Sequence, residues 1–455
     1  MNRQTSASSV ALVTLAALAL GVALAPAGQH AASQETPPEL GRSLEAPPPE
    51  VAVPEGEALP ASTVVIDVDA PERALYRIAV PDLRGAMSSS DDGAEVMRTD
   101  FRLVSLFEVL DPRSFIADLE AEGLGMSAGP WTQVGAQGVI KGRVEREGGR
   151  IRVELRFYEL ARGETASLTR TYSGAPSELR SFMHDFANEV LRLLTGQAGA
   201  FGTRITFARR VREGRKDVYV ASFDGHSVGR VSSGNGVAML PAFGPGGIWY
   251  SILTETGMFI TRTGQEERPL IDAPDSINMG ISICGDRAYF TSTRDGNSEI
   301  YSSRLDGTDV VRLTNNPAID VSPTCGGPGG LIAFVSNRHG SPQIFAMNSS
   351  GGGVRRLTFR GSYNQTPAWC PRGDQHLMAF TGRSAGLDVF TVDIETQQYT
   401  RLTQGQGVNK DPAFSPDCRM IAFYSTRGGI FISNPEGLNQ QMVIPGVAET
   451  LRWSR

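Results

Sequence analysis

The sequence predicts an α/β N-terminal domain followed by a six-bladed β-propeller closed by the C-terminal strand, and three observations support this fold class. Aromatic anchors recur in apolar strand patterns at intervals of 43, 40, 44, 46 and 43 residues: Phe207, Tyr250, Phe290, Phe334, Phe380 and Phe423. Each anchor is followed by a further strand pattern and then by a fourth, such as VRLTN, RRLTF or TRLTQ. A period in the forties with several short strands per unit is typical of propeller blades.

The third observation concerns how the ring closes. First strands begin near Met239, Met279, Val321, Thr366, Pro412 and Thr450. The repeat at Arg204 therefore lacks a first strand, whereas the chain ends on a spare one, LRWSR. We expect residues 451–454 to supply the inner strand of the blade that contains residues 205–208, because this pairing leaves no open sheet edge.

At 455 residues the chain is too long for one ordinary core. We expect a signal peptide (1–27), a disordered tether (28–61), the α/β domain (62–198) and the propeller (199–455). In the α/β domain, strands are predicted at residues 63, 76, 138–147, 150–160 and 164–172, and helices over 92–107, 114–122 and 177–194.

The N-terminal residues have the pattern of an export signal. A weakly cationic start at Arg3 precedes an apolar run over 10–25, and small residues stand before the expected cleavage at Gly28. A retained membrane anchor is the alternative, and the shortness of the run argues against it. Residues 28–61 hold seven Pro and six Glu, a composition that predicts a disordered tether. We therefore expect periplasmic localisation with no stable membrane insertion after cleavage.

Charge and composition exclude other classes of protein. The net charge of -6 gives no electrostatic footprint for nucleic acid. The five His are scattered and no CxxC pair occurs, so neither a metal site nor a cofactor is predicted. The four Cys lie at or just after the ends of consecutive first strands: Cys284, Cys325, Cys370 and Cys418. Three disulfide connectivities are open, of which pairing between adjacent blades is favoured because inner strands bring these positions to one end of the ring.

A partner-binding rim is predicted where the inner strands begin, because these positions converge on the axis of the ring. The polar or acidic candidates are Asn235, Asn278, Asp320, Asn364, Gln365, Asn409, Asp411 and Glu449. Short polar side chains suit hydrogen bonding to a protein loop. The alternative is that these side chains satisfy the backbone of turns.

Several segments of the chain form recognisable text: YRIAVPDLRG, LFEVLDPRSF, VLRLLTGQAGAFGTRITF and the repeats PAFSPD and PAWCPRGD. Over about residues 63–455, this text resembles the TolB family of the Tol-Pal system of Gram-negative bacteria. The resemblance implies a monomeric, non-enzymatic scaffold whose propeller funnel binds the peptidoglycan-associated lipoprotein Pal. Such a scaffold supports outer-membrane integrity and envelope constriction during cell division.

The resemblance also implies a second partner. In this family the extended segment before the α/β domain binds the inner-membrane protein TolA, and here the matching residues are Val64, Val65, Ile66, Asp67 and Val68. The chain departs from the family in one respect, because the long tether precedes this segment, whereas the family's segment lies at or close to the mature N-terminus.

Two other functions compete with the scaffold. A secreted propeller that binds a glycan or small ligand would use aromatic platforms, and Trp249 and Trp369 stand in or beside strands. A propeller-gated serine peptidase would need a hydrolase domain, for which the residues outside the two predicted domains are too few. The GxSxG pattern over 225–229 lies between two predicted strands without a following helix, so it is interpreted as a blade turn.

Overall fold

The structure, a computed structural model, describes residues 75–85, 93–232, 236–273, 275–372 and 376–454. The predicted signal peptide, the tether and the strand expected at residue 63 lie outside these ranges. Within them, no helix has both the length and the apolar character needed to cross a membrane.

The α/β domain is a five-stranded sheet with helices packed on it. Its strands are β1 (Tyr76–Ala79), β2 (Phe107–Val109), β3 (Gly138–Glu147), β4 (Arg150–Glu159) and β5 (Leu168–Gly174), and its helices are α1 (Gly93–Leu103), α2 (Leu119–Glu122), α3 (Ala128–Gln133) and α4 (Leu179–Thr195). The strands lie in the order β2, β1, β3, β4, β5. The β1 strand pairs in parallel with β2 and β3, whereas β3, β4 and β5 form an antiparallel meander.

The predicted elements of this domain that fall within the described residues are present, with shifted ends. The helix predicted over 177–194 is α4, which begins at Leu179 because Pro176–Glu178 forms a 3-10 turn. It ends at Thr195 and is capped by Gly196, which adopts a φ of 76°. The helix predicted over 114–122 is too long: only α2 is helical there, because Asp118 caps its first turn by accepting from Ala121 N at 3.0 Å. The β2 strand and the α3 helix have no counterpart in the prediction.

The ring consists of six sheets, which confirms the predicted number of blades. Blade 1 holds β6 (Arg204–Arg212), β7 (Arg215–Ser222) and β8 (Val228–Arg230), and blade 2 holds β9 (Val237–Gly244), β10 (Gly247–Thr254) and β11 (Gly257–Arg262). Blade 3 holds β12 (Asn278–Cys284), β13 (Arg287–Ser292), β14 (Glu299–Arg304) and β15 (Val311–Arg312), and blade 4 holds β16 (Asp320–Cys325), β17 (Ile332–Ser336), β18 (Gln343–Met347) and β19 (Arg355–Arg356). Blade 5 holds β20 (Asn364–Trp369), β21 (Leu377–Arg383), β22 (Leu387–Asp393) and β23 (Tyr399–Arg401), and blade 6 holds β24 (Asn409–Phe414), β25 (Ile421–Ser425), β26 (Gly429–Ser433) and β27 (Gln441–Pro445).

The last strand, β28 (Glu449–Trp453), closes the ring as predicted. It pairs antiparallel with β6, with Trp453 opposite Ile205 and Glu449 opposite Ala208. The backbone N of Ser454 then donates to Arg204 O at 2.8 Å. The C-terminal strand is therefore the inner strand of blade 1.

The aromatic anchors form the centre of the blades. The six side chains, from Phe207 to Phe423, are each no more than 1% exposed. In five blades the anchor lies beside an aromatic side chain of the third strand, as Phe380 does beside Phe390 with ring centres 5.6 Å apart. Burial of each such side chain stabilises the fold by roughly 1.5–3 kcal/mol, so the anchors carry much of the stability of the ring.

We call the end of the ring where inner strands begin the upper end, and the end where they finish the lower end. The α/β domain contacts the lower end. Arg419, in the turn after β24, donates to Thr195 Oγ1 at 2.9 Å, and Asn439 Nδ2, in the turn after β26, donates to Arg102 O at 2.6 Å. The upper end is therefore the face opposite the contacts with the α/β domain.

Candidate partner-binding surface

Every inner strand carries a β-bulge near its upper end. The ladder shifts register there in all six blades. The bulged residues adopt positive φ values between 51° and 68°: Leu240, Gly280, Ser322, Thr366, Asp411 and Thr450. A positive φ costs a non-glycine residue roughly 1–2 kcal/mol, so the five occurrences other than Gly280 need support from their surroundings.

That support comes from the neighbouring blades. Asp411 N donates to Thr381 Oγ1 of the preceding blade at 3.0 Å, and Ser322 N donates to Thr291 Oγ1 at 3.2 Å. The carboxylate of Asp411 in turn accepts from Thr450 N at 2.9 Å. The bulges therefore lock adjacent blades together and re-aim the side chains at the upper end.

Four of the predicted rim residues are buried in the ring. Asn278, Asp320 and Asn409 are 0% exposed, and Asn364 is 2% exposed. Asn364 Nδ2 donates to Gln343 Oε1 of the preceding blade at 2.8 Å, and Asp320 accepts from Arg338 Nη2 at 2.7 Å. The structure therefore places these four side chains inside the ring, where they make hydrogen bonds within and between blades, although Asp320 Oδ1 and Asn409 Oδ1 are buried without a partner among the described residues. Contact of these four residues with a partner stays a prediction.

The other predicted rim residues are largely paired. Asp411 is 5% exposed, and its charge raises the pKa of Lys410, whose Nζ lies 3.7 Å from the Asp411 carboxylate. Glu449 pairs with Lys216. Gln365 is partly exposed and accepts from Tyr363 OH at 2.9 Å. Asn235 and the predicted TolA-binding segment from Val64 to Val68 lie outside the described residues.

The upper end carries arginines that the sequence analysis did not single out. Four blades place an arginine where the second strand ends or in the turn that follows it, and blade 1 places Arg209 within β6, near the end of that strand. We call these five residues the arginine ring: Arg209, Arg294, Arg338, Arg383 and Arg427. Each guanidinium lies over an aromatic ring of its blade, at 4.0 to 5.1 Å from the nearest ring centre. Blade 2 carries Glu255 in this turn instead. The recurring text STRDG, SNRHG and STRGG was the signal available in the sequence.

The arginines are held in place by their own blades. Arg427 Nε donates to Ser425 Oγ at 3.0 Å and Arg338 Nε donates to Ser336 Oγ at 3.0 Å. Arg383 and Arg427 are exposed, whereas Arg338 is half-buried. A guanidinium that is fixed over an aromatic ring loses little freedom on binding, so this face is suited to carboxylates of a protein partner.

Two disulfides lie at the lower end. They join Cys284 to Cys325 and Cys370 to Cys418, with Cα atoms 6.1 and 5.4 Å apart. Each links an inner strand, or the turn that follows it, to that of the next blade. This is the adjacent-blade pairing that the repeat positions favoured, and it fastens blade 3 to blade 4 and blade 5 to blade 6.

A buried charged cluster joins the two domains. Asp100 of α1 is 0% exposed and lies 2.8 Å from His184 Nδ1 of α4. His184 Nε2 lies 3.8 Å from the carboxylate of Asp224, in the turn after β7, and Arg180 also pairs with Asp224. Burial raises the pKa of Asp100 to about 6, although His184 favours its charged form. We call these four residues the interdomain cluster.

Within the described ranges, Asp100, His184 and Asp224 form the one group whose metal-ligand atoms lie within 4.8 Å of one another. The Nδ1 atom of His184 is already hydrogen-bonded to Asp100, and the guanidinium of Arg180 occupies Asp224. A cation would compete with that guanidinium for the same carboxylate. We therefore interpret the group as an ion-pair network and not as a metal centre.

The GxSxG pattern begins in the turn between β7 and β8, as interpreted from the sequence, and its last two residues belong to β8. The hydroxyl of Ser227 lies 2.7 Å from that of Ser222, across the base of the turn. A nucleophile elbow needs a strand-to-helix junction, whereas this serine sits in a hairpin of blade 1.

Family models of known proteins match both domains of the chain. Residues 64–166 match the family model of the TolB amino-terminal domain, and residues 191–387 match that of the TolB β-propeller domain. The protein TolB homolog of Chlorobium luteolum is 30% identical over 265 residues, which are 57% of this chain and 60% of that protein. The Tol-Pal system protein TolB of Anaeromyxobacter dehalogenans strain 2CP-C is 36% identical over 282 residues, which are 56% of this chain and 63% of that protein.

The matched part therefore spans about three-fifths of the length of these curated relatives. Among solved structures, TolB from Acinetobacter baumannii has a TM-score of 0.72 and 24% identity, covering 85% of this chain and 98% of its own. That likeness supports the fold. Both family domains follow one another in the order that the structure shows, and the chain belongs to the TolB family.

Proposed function

We propose that the protein is a non-enzymatic scaffold of the Tol-Pal system that binds a Pal-like peptidoglycan-associated lipoprotein at the upper end of its propeller. The single observation that carries this proposal is the arginine ring, a fixed set of guanidiniums on the face opposite the contacts with the α/β domain. The inner channel contributes the bulged residues beside it. The partner surface that fits this face is an acidic loop inserted at the mouth of the channel.

The proposal includes a TolA-like partner for the segment from Val64 to Val68, which precedes β1. Its support is the resemblance of the sequence to the family and the position of that segment at the start of the matched TolB amino-terminal domain. Simultaneous binding of both partners would link the outer and inner membranes. In this role the protein supports outer-membrane integrity and envelope constriction during division.

The proposed compartment is the periplasm. Two disulfides within one propeller need an oxidising compartment to persist, and the N-terminal residues carry the pattern of an export signal. We propose that the mature protein begins at Gly28 and acts as a monomer.

The experiment is a calorimetric titration of residues 28–455 with the soluble domain of the Pal-like lipoprotein from the same organism. The test variant combines Arg383→Glu with Arg427→Glu, because both side chains are exposed at the upper end. The matched control combines Arg304→Glu with Arg355→Glu, two exposed arginines away from that end. We expect one-to-one binding that the test variant weakens by roughly tenfold or more and the control leaves unchanged.

Equal affinity of the folded test variant and the wild type would remove the arginine ring from the proposal. Absence of binding by a folded wild-type sample would overturn the Pal-like partner itself. Deletion of residues 64–68 supplies the separate test for the TolA-like partner, whose affinity should fall while binding of the Pal-like domain persists.

A further inference from the structure

The lower end of the channel opens into a cavity of about 370 Å³. All six inner strands contribute to its wall, from Gly244 of blade 2 to Trp453 of the closing strand. A volume of this size lies within the range of small-molecule sites in proteins. The cavity lies at the end of the ring opposite the arginine ring, so it is separate from the surface proposed to bind the lipoprotein.

The charge in this cavity is uniformly positive. Arg204 and Arg452 line it, and no aspartate or glutamate does. Among the described residues, neither guanidinium lies within 4.0 Å of a carboxylate; Arg452 Nη1 instead donates to its neighbour Leu451 O at 2.8 Å. Burial lowers the pKa of Arg452, since the channel removes water from its guanidinium, and the charge of Asp411 opposes this effect.

Arg204 is exposed, so the desolvation argument concerns Arg452, which has no carboxylate within 4.0 Å and feels Asp411 only from a greater distance. An incoming carboxylate in direct contact with the Arg452 guanidinium would offset its desolvation penalty. The planar fork of donors on arginine matches the two oxygens of a carboxylate. The upper part of the channel differs in charge, because its cations are already paired with carboxylates: Lys410 with Asp411, and Lys216 with Glu449. An anion is therefore favoured at the lower end.

The remaining wall is aromatic and apolar. Phe243, Trp369, Phe414 and Trp453 line the cavity together with prolines of the inner strands and of the turns that follow them. Some polar groups of the wall are already hydrogen-bonded to one another: Trp369 Nε1 donates to Thr324 O at 3.0 Å, and Thr324 Oγ1 donates to Pro367 O at 3.0 Å. The wall thus offers flat apolar surface around two cationic groups.

We propose that this cavity binds a small ligand that joins one carboxylate to an aromatic or apolar group, such as a terminal amino-acid residue with a free α-carboxylate. The carboxylate pairs with Arg452 and Arg204, and the apolar group packs against the aromatic wall. This site does not depend on the Tol-Pal role, and its ligand is distinct from the protein partner at the upper end.

The probe is N-acetyl-phenylalanine, with N-acetyl-phenylalaninamide as the matched neutral compound. Neither compound absorbs at the wavelength that excites tryptophan. Occupancy of the cavity is therefore followed as a change in the tryptophan emission of the protein, to which Trp369 and Trp453 of the cavity wall contribute. We expect saturable binding of the acid with a dissociation constant on the order of 1 mM, and at least roughly tenfold weaker binding of the amide. The acid and amide are compared on the wild-type protein, so this arm needs no variant.

A second arm tests the residues. Arg452→Gln and Arg204→Gln should each weaken binding of the acid by roughly tenfold, whereas the exposed outer-strand control Arg355→Gln should not. Titration of the Pal-like domain on the same variants should be unaffected, which separates this site from the proposed function. Equal binding of acid and amide, absence of saturable change, or full affinity in both folded cavity variants would overturn the proposal.

Discussion

Replacement of Asp100 by Asn is expected to change how the stability of the protein depends on pH. Asp100 is fully buried and faces His184 of α4, with Asp224 and Arg180 completing the interdomain cluster and Asp185 beside it on α4. Burial raises the pKa of Asp100 from 3.8 to about 6, which Asp224 reinforces and which His184 and Arg180 oppose. Between about pH 4 and pH 6 the folded protein therefore keeps a proton on Asp100 that the unfolded chain has released.

The sign follows from this difference in bound protons. A carboxyl whose folded pKa lies above its unfolded pKa contributes stability that is complete below about pH 4 and is lost as the pH rises through about 6. A shift of about two units corresponds to about 3 kcal/mol. The free energy of unfolding of the wild type should thus fall by about 3 kcal/mol between pH 4 and 7 relative to that of Asp100→Asn, which cannot titrate.

The assay is urea unfolding of both proteins at several pH values, followed by circular dichroism and tryptophan fluorescence. Asp286→Asn, which removes an exposed carboxyl in the turn between β12 and β13, serves as the control and should follow the wild type at every pH. A difference between wild type and Asp100→Asn that stays constant with pH would refute the reasoning. A difference that grows in the opposite direction would mean that Asp100 is charged in the folded state.

Three further variants test contacts within the two domains, and in each the free energy of unfolding is measured and compared with that of the wild type. Replacement of Cys370 and Cys418 by Ala removes a crosslink between residues 48 positions apart, so the entropy of the unfolded chain rises and the free energy of unfolding should fall by about 4 kcal/mol. A fall of less than about 1 kcal/mol would contradict this expectation. Leu451→Ala in the closing strand, at 0% exposure, should cost about 2–5 kcal/mol, and a cost close to zero would mean that the strand does not close the ring. Lys141→Met leaves Glu122 unpaired at 7% side-chain exposure and should cost about 3–5 kcal/mol, whereas restoring neutrality with Glu122→Gln in the same chain should recover part of that loss.

The sequence was informative about the ring because each blade repeats the same local pattern. Buried anchors such as Phe290 and Phe334 recur with their strands, so a period could be counted without knowledge of contacts. The closing strand was predictable for a different reason: the first repeat lacked an inner strand and the chain ended on one. The shifted helix near Asp118 shows the limit, since capping, and not apolar spacing, sets where that helix begins.

The candidate surface was less predictable. A bulge near the start of each inner strand places one extra residue on that strand, and a shift of one residue exchanges the two faces. Asn278 and Asp320 therefore point into the ring although their position suggested a rim. Charge reversal at Asp320 would leave the half-buried Arg338 without its partner, so that change tests the fold and not the surface.

The interdomain cluster lay beyond sequence reasoning altogether. Asp100 and His184 are 84 residues apart, and each looks like an ordinary polar position on an amphipathic helix. Only the packing of α1 on α4 against the turn after β7 brings their side chains together. By contrast, three members of the arginine ring, Arg294, Arg338 and Arg427, recur in the texts STRDG, SNRHG and STRGG and could have been found in the sequence.

The most direct test of the central claim is hydrogen exchange of the 28–455 protein with and without a saturating Pal-like lipoprotein domain. The account predicts slower exchange in the upper turns, at residues 293–298, 337–342 and 426–428, because the partner covers the arginine ring. Exchange in the lower turns and in α1 and α4 should stay unchanged. Protection confined to the lower cavity or to the α/β domain would contradict the claim that the upper end of the propeller is the partner-binding surface.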